Sequence, residues 1–301
     1  MNIVILVNKD FEYEGYRDGI DSRNNCTKLN LVFEDTTAGP DKMTPSRIYK
    51  LADTTIKATE YCIRYMFPKD ENSSNSEVKY GLLNDLLSNR IEDRIDYIIS
   101  VSTSESTPES QGGDSDTHSV NGCVFLGNRF FARDCRDKDP SSDSHLKVPD
   151  KFDICPEIYP GFYKDLSVED TKKKIADGMS DKVPNKKADS MFVDADEKNA
   201  SLGVINVIDY LKYEEADEAT YEKFKKTSPY NYIPVGLETT HAVVKMAADE
   251  NYKIPVLFVS PITDRYLRFN DDVKGKQNYY CSYNAGVVVA NLLDFIAGKL
   301  Q

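Results

Sequence analysis

Tryptophan is absent from the 301 residues, and histidine occurs only three times. His118, His145 and His241 are too few and too dispersed for a metal cluster. The six cysteines (Cys26, Cys62, Cys123, Cys135, Cys155, Cys281) form no C-x-x-C pair. Reduced thiols in a cytoplasmic protein are therefore expected, in preference to a disulfide framework or a zinc site. No run approaches the roughly 18 apolar residues that would span a membrane. The opening MNIVILVNKD lacks the basic region and the long apolar stretch of a secretory leader. Positive charge is also short: 38 Lys and Arg face 50 Asp and Glu, a formal net charge of −12. That argues against a broad surface for a nucleic acid polymer and against an anionic-membrane binder. A local basic pocket for a phosphate stays open. Glycine signatures are missing too. Neither G-x-G-x-x-G nor G-x-x-x-x-G-K-[ST] occurs, so ordinary dinucleotide and P-loop sites are unsupported. G-x-S-x-G is absent, which weakens an α/β-hydrolase reading.

What is present is a globular composition, 40% apolar, with 19 tyrosines. The length suits one large α/β domain or two small ones. NIVILVN (2–8), LNLVFE (29–34), IDYIISV (95–101), GCVFLG (122–127), GVINVI (203–208) and the stretch 254–260 read as strands. Helices are expected over 44–66, where Thr44-Pro45 looks like a cap with proline at the first helical position, and over 214–226, 237–250 and 283–299. The apolar helix at 283–299 is expected in the core. The stretch 102–119 is small, polar and expected to be flexible. Residues 136–189, rich in Asp, Lys, Ser and Pro, read as a surface excursion of the same domain with a short helix near 167–177. Strands alternating with helices predict a three-layer α/β/α sandwich around a mostly parallel mixed central sheet, as a single domain over 1–301.

In such a sheet ligands bind beyond the carboxyl ends of the strands. Asp10, Glu12 and Glu14 follow the first strand. Ser102, Thr103 and Ser104 follow the strand at 95–101, and Asp264 follows VLFVSPIT. Glu238 stands at an expected helix start, with His241 three residues on and so on the same helix face. Each has a plain structural account as well. A lone Asp after a strand is commonly a turn former. An acid near a helix start interacts favourably with the dipole. Arg129 and Arg133 flank a strand end, as phosphate ligands or as solvated surface residues.

Taken together, four stretches resemble the purine nucleoside phosphorylase and nucleosidase superfamily, the branch with methylthioadenosine nucleosidase and the hexameric phosphorylases. VGLETTHAVV (235–244) is similar to the family's Met-Glu-x-x-Ala segment. Leu237 takes the methionine place and Glu238 that of the ribose-binding glutamate. FVSPITD (258–264) resembles the strand ending in Ser-Asp, whose aspartate protonates the purine N7; this falls on Asp264. ADSMFVDAD (188–196) resembles the loop whose phenylalanine stacks on the base, here Phe192. NIVILVNKDFE (2–12) resembles the first strand and the water-activating glutamate, here Glu12, with Asp10 and Glu14 beside it. The family's Gly-rich turn after the strand matching IDYIISV (95–101) is replaced by Ser102-Thr103-Ser104-Glu105-Ser106.

The resemblance implies cleavage of the N-glycosidic bond of a purine nucleoside or nucleoside-containing metabolite, with hydrolysis favoured over phosphorolysis. Asp264 and Glu12 are then the catalytic residues. Glu238, Phe192, Leu237, Ser102, Thr103, Ser104 and His241 are the substrate-binding ones. It implies a small-molecule nucleoside or nucleotide as partner, a homo-oligomer, no metal and no cofactor, with inorganic phosphate as co-substrate in a phosphorylase. Two other readings stand beside it: a non-catalytic nucleoside-binding protein on the same fold, and a cysteine peptidase of the same broad fold using His241 and Cys281.

Overall fold

The computed structural model describes residues 1–37, 41–72, 74–114, 116–135, 146, 150–186, 191–207, 213–228 and 231–300. In chain order the first half runs β1 (Asn2–Val7), α1 (Asp10–Asp21), β2 (Leu29–Glu34), β3 (Arg47–Leu51), β4 (Lys57–Cys62), α2 (Ile63–Met66), α3 (Ser76–Asp85), a π-helical turn (Leu86–Arg90), β5 (Tyr97–Val101), β6 (Ser104–Ser106), β7 (Val124–Gly127) and β8 (Arg129–Asp134). It continues with β9 (Lys151–Ile154), α4 (Phe162–Leu166), α5 (Glu169–Ala176), β10 (Val193–Asp194), β11 (Asn199–Ile205), α6 (Tyr213–Thr227), β12 (Ile233–Glu238), α7 (His241–Glu250), β13 (Val256–Asp264), α8 (Phe269–Asp272) and α9 (Gln277–Lys299).

The main sheet path among the described residues is β2-β3-β4-β1-β5-β13-β6-β12-β11-β8-β9. Its centre is parallel (β4, β1, β5, β13), while β2–β3, β3–β4, β6–β12 and β8–β9 are antiparallel. Successive residues of a strand face opposite sides, and the cores follow that rule. Ile3, Ile5 and Val7 pack into one cluster with α1 and α9; Val4 and Leu6 pack into a second, across the sheet, with α7. The result is the expected three-layer α/β/α sandwich with a mostly parallel mixed sheet.

β13 organises the molecule. All nine residues are buried. Its first part pairs with β5 up to Val259, and its last residues pair with β6 from Ile262. Pro261 lies between the two ladders. Proline has no N–H to give a ladder, so the change of partner falls where a donor is missing. α1 and α9 meet closely: a Cβ added at Gly15, Gly19 or Gly286 would collide with the facing helix's backbone. α9 is long and apolar enough to cross a membrane, but 78% of that stretch is buried inside the protein. It is the core helix the sequence predicts.

Several expectations change. Residues 44–66 form a β-hairpin and one helical turn, not one long helix. Arg47, Tyr49 and Leu51 alternate inward, the period of a strand, and Asp53 adopts a left-handed turn conformation at φ 61°. The Thr44-Pro45 signal was outweighed by this alternation. Residues 237–250 divide into the end of β12 and α7, so Glu238 terminates a strand. The stretch after β5 is ordered: Ser102 and Ser104 through Thr107 are all buried, with Ser104–Ser106 forming β6. The acids after β1 open helix α1; Glu12 reaches back to the Lys9 N–H (3.4 Å), half of a capping box. Where it is described, the 136–189 segment places Phe162, Tyr163, Leu166 and Ile175 in the larger core. Arg129 and Arg133 lie within β8.

Candidate active site

The carboxyl ends of β1, β5, β12 and β13 open into one cavity of about 430 Å³. Asn8 comes from β1, Glu12 from α1, Ser102 through Glu105 from the β5–β6 segment, Leu237 through Thr239 from β12, and Thr263 and Asp264 from β13. Residues 256 positions apart in sequence thus share one wall, because parallel strands bring their ends to the same side.

Glu238 ends β12 with its carboxylate turned onto the start of α7. It accepts the backbone N–H of Thr240 and that of His241 (2.8 Å), and a hydroxyl hydrogen bond from Ser201 (3.3 Å). Unsatisfied helix-terminal N–H groups are natural carboxylate partners. Burial pushes its pKa up to about 7, against the pull of those N–H groups, Lys79 and Ser201. Glu12 is 2% exposed and accepts a hydrogen bond from the Thr103 hydroxyl at 2.7 Å. Burial raises it above the usual carboxylate range, while Lys9, Thr103 and Lys79 oppose the rise.

Asp264 is differently placed. One oxygen takes the Thr263 hydroxyl; the other, Oδ2, is buried with no hydrogen-bond partner. Burial pushes its pKa to about 7, and the Asp272 charge adds to the rise. Asp272 itself is occupied by Arg265, which it grips through both oxygens (Nη2–Oδ1 2.8 Å, Nε–Oδ2 2.9 Å). Glu105 pairs with Asp264 across the β6–β13 ladder. It too is buried, and its Oε1 has no partner. Burial and the charges of Asp217 and Asp264 lift it well above the usual range. Asp217 of α6 completes this corner; its enclosed position and the charges of Asp264, Glu214 and Glu238 raise it similarly.

Of the predicted site residues, the structure brings together Asp264, Glu12, Glu238, Leu237, Ser102, Thr103 and Ser104. Two stand apart among the described residues. His241 is fully buried at the start of α7. Its Nδ1 meets Ser100 Oγ at 2.7 Å and its Nε2 meets Ser260 Oγ at 3.1 Å. Burial holds it neutral, down to about 3. It ties β5, β13 and α7 together; it does not line the cavity, because helix start and strand end are separate elements. Phe192 does not line it either, and meets Phe125 edge-on at 6.1 Å. The aromatic side chains that do are Phe11, Tyr213 and Phe269. Part of the ADSMFVDAD stretch, 188–190, lies outside the described residues. Cys281 is buried in α9 with its thiol pushed well above its usual range, chiefly by burial. With both His241 nitrogens engaged by serines, no peptidase pair is assembled from these two.

Sequence reasoning missed Glu105, hidden within a run of hydroxyl residues, and Lys79, in a helix the apolar pattern did not mark. The one available signal for Glu105 was its place four residues past an apolar strand.

No family model and no curated protein sequence matches the chain. Solved structures do. An MTA/SAH nucleosidase structure is 14% identical, covering 99% of this chain and 96% of its own, with a TM-score of 0.53. The 5'-methylthioadenosine/S-adenosyl homocysteine nucleosidase of Campylobacter jejuni is 12% identical, covering 99% of each chain at a TM-score of 0.51. The native futalosine hydrolase of Helicobacter pylori strain 26695 is 10% identical, covering 98% and 97%, at 0.52. The chain has the nucleoside phosphorylase/nucleosidase fold.

Proposed function

We propose that the protein hydrolyses the N-glycosidic bond of a purine nucleoside or a nucleoside-containing metabolite and releases the free base. The observation that carries the reading is the meeting of Asp264, Glu238 and Glu12 in one cavity. Asp264 keeps a buried oxygen without a partner there.

Breaking this bond sends an electron pair to the base and leaves an oxocarbenium-like sugar. A proton placed on the base N7 neutralises the leaving group. Asp264, protonated up to about pH 7, has the range for that donation; such transfer contributes about 10²–10⁴-fold. Glu238 accepts hydrogen bonds from ribose hydroxyls and its negative charge favours the cationic sugar. Water attacks C1′ and passes a proton to Glu12, whose raised pKa makes it a better base than an exposed carboxylate. One water is consumed; its proton ends on Glu12 and the proton of Asp264 ends on the base.

Hydrolysis is favoured over phosphorolysis by charge. Among the described lining residues six are acidic (Glu12, Glu105, Glu214, Asp217, Glu238, Asp264) and one, Lys9, is basic. Burial leaves several of these acids protonated near neutrality, so what disfavours a phosphate anion is the scarcity of cations to bind it among the described lining residues. The test is release of free base from a nucleoside panel with and without phosphate. Release independent of phosphate is expected. Strict dependence on phosphate overturns the hydrolytic assignment. No release from any nucleoside or nucleotide, with Asp264→Asn behaving identically, sinks the enzyme reading. Binding of adenine or adenosine without turnover is the outcome for a non-catalytic nucleoside-binding protein.

A further inference from the structure

We infer that Lys79 is a positioning residue for the sugar end of the cavity, joining the Asn8 wall to the Glu238 turn and favouring the charged forms of the nearby Glu12 and Glu238 carboxyls. The inference rests on the hydrolytic reading above for its consequence in turnover, though not for its electrostatics.

Lys79 lies on α3, wholly buried, and is not itself a wall of the cavity. A lysine is almost never buried without partners, and this one is fully served. Its ammonium donates to Asn8 Oδ1 (3.1 Å), Thr240 Oγ1 (2.8 Å) and the Thr239 carbonyl (3.4 Å). Those are three donors for three acceptors. Asn8 ends at β1 and lines the cavity. With its oxygen taken by Lys79, its amide nitrogen is left to donate to Ser102 Oγ (3.3 Å), another cavity residue. Thr239 and Thr240 form the turn after Glu238, and the Thr240 N–H is one of the donors that hold the Glu238 carboxylate. One ammonium therefore sets the orientation of an amide on β1 and the turn that carries the glutamate of β12.

The charges around it are few. Lys9 repels it; Glu238 and Glu12 attract it. His241 of α7 feels it and stays neutral. Of the other charged residues of α7, Lys245 and Asp249 satisfy each other, and Glu250 lies at the far end of the helix. Arg64 of α2 donates to the Pro68 and Lys69 carbonyls, and Arg90 of the π-helical turn pairs with Asp85. Lys79 is thus the buried cation shared by the two carboxyls. Burial lowers it to about 7, so its charge is lost just above neutrality.

The experiment compares wild type, Lys79→Met and Lys79→Arg in the pH profile of kcat/KM for base release. In Lys79→Met the acid limb is expected to move up by about one pH unit. The loss is then about tenfold at pH 6 and smaller at pH 8, and Lys79→Arg recovers the wild-type limb in part. A loss equal at every pH, with the limb unmoved, reduces Lys79 to a structural residue and overturns the inference. Carbon-13 NMR titration of the Glu12 and Glu238 carboxyls, assigned with Glu12→Gln and Glu238→Gln, needs no turnover. Both are expected to titrate higher in Lys79→Met; unmoved titrations overturn the inference. If the wild type releases no base, the hydrolytic reading falls while this titration still decides the role of Lys79. If Lys79→Met does not fold, the wild-type Lys79 Cε resonance decides. A titration near neutrality that shifts when Glu238 is replaced by Gln supports the inference, and one at an ordinary lysine value refutes it.

Discussion

At one end of the cavity, Glu238 and Glu12 are met by backbone N–H groups, hydroxyls and the nearby charge of Lys79. At the other, Asp264 and Glu105 face each other's strands with one buried oxygen apiece unpaired, and Asp217 adds a third acid. Both ends are buried and acidic, yet their physics differs. Burial raises Glu238 and Asp264 alike, to about 7; at Glu238 backbone N–H groups, Lys79 and Ser201 oppose the rise and fix the carboxyl in place. At Asp264 only the Thr263 hydroxyl opposes it, and the unpaired Oδ2 and the Asp272 charge favour the neutral acid. The first arrangement suits holding negative charge beside a developing cation. The second suits carrying a proton.

The sharpest way to break this contrast is Asp264→Asn. It keeps shape and hydrogen-bonding capacity but has no proton to give. Turnover is expected to fall by about 10²-fold or more, while calorimetry still detects binding of the free base. Normal turnover would reduce Asp264 to the structural end of β13. Glu238→Gln tests the other end. It removes charge, not a proton donor, and a fall of about 10²-fold in kcat/KM is expected. Steady-state kinetics on the best nucleoside reads it, and an unchanged value refutes the charge-holding assignment.

The contrast also predicts stability. Asp264 has its folded pKa raised from an ordinary 3.8 to about 7. Between those values the folded protein binds more protons than the unfolded chain, so stability falls as pH rises through the window. Asp264→Asn lacks that loss. It should melt higher than the wild type at pH 8, by an amount bounded at roughly 4 kcal/mol from about three pH units, and the gap should close toward pH 4. Thermal melts at the two pH values measure it; a gap independent of pH contradicts the buried acid with an unpaired Oδ2. The smallest effect is expected for Glu105→Gln. Turnover should change only a few-fold, with the melting temperature raised at pH 8, because a buried acid with one unpaired oxygen is removed without touching Glu238 or Glu12.

Much of this was legible in the residues. The two-faced pattern of β1, β5 and β13 marks a sheet covered on both sides, and Asp264, a lone acid closing VLFVSPITD, stands out on sequence alone. LETTHA marked Glu238, but as a helix start. The reason is local: an apolar run before a helix looks helical until a strand partner claims it, and Gly236 and Leu237 pair with Ser106 and Glu105. The hairpin at 47–62 was misread for a similar reason, since short β alternation competes with a strong cap signal. His241 shares a stretch with Glu238 but points into the sandwich, because the chain turns between β12 and α7.

The sequence by itself determined which segments are buried, that the sheet is mostly parallel, and that acids follow the strands at Asp264 and Glu12. Those are consequences of side-chain periodicity and of where apolar runs stop. Only the tertiary structure decided which acids share a cavity and in which charge state. Desolvation, the missing partner of Asp264 Oδ2, the adjacency of Glu105 and the ammonium of Lys79 arise from strands and helices distant in the chain. No local pattern encodes the dielectric and the donors that neighbours supply. VLFVSPITD shows both halves: its apolar run announced a buried strand, while the proton affinity of its last residue was set by burial and, beyond it, by Asp272.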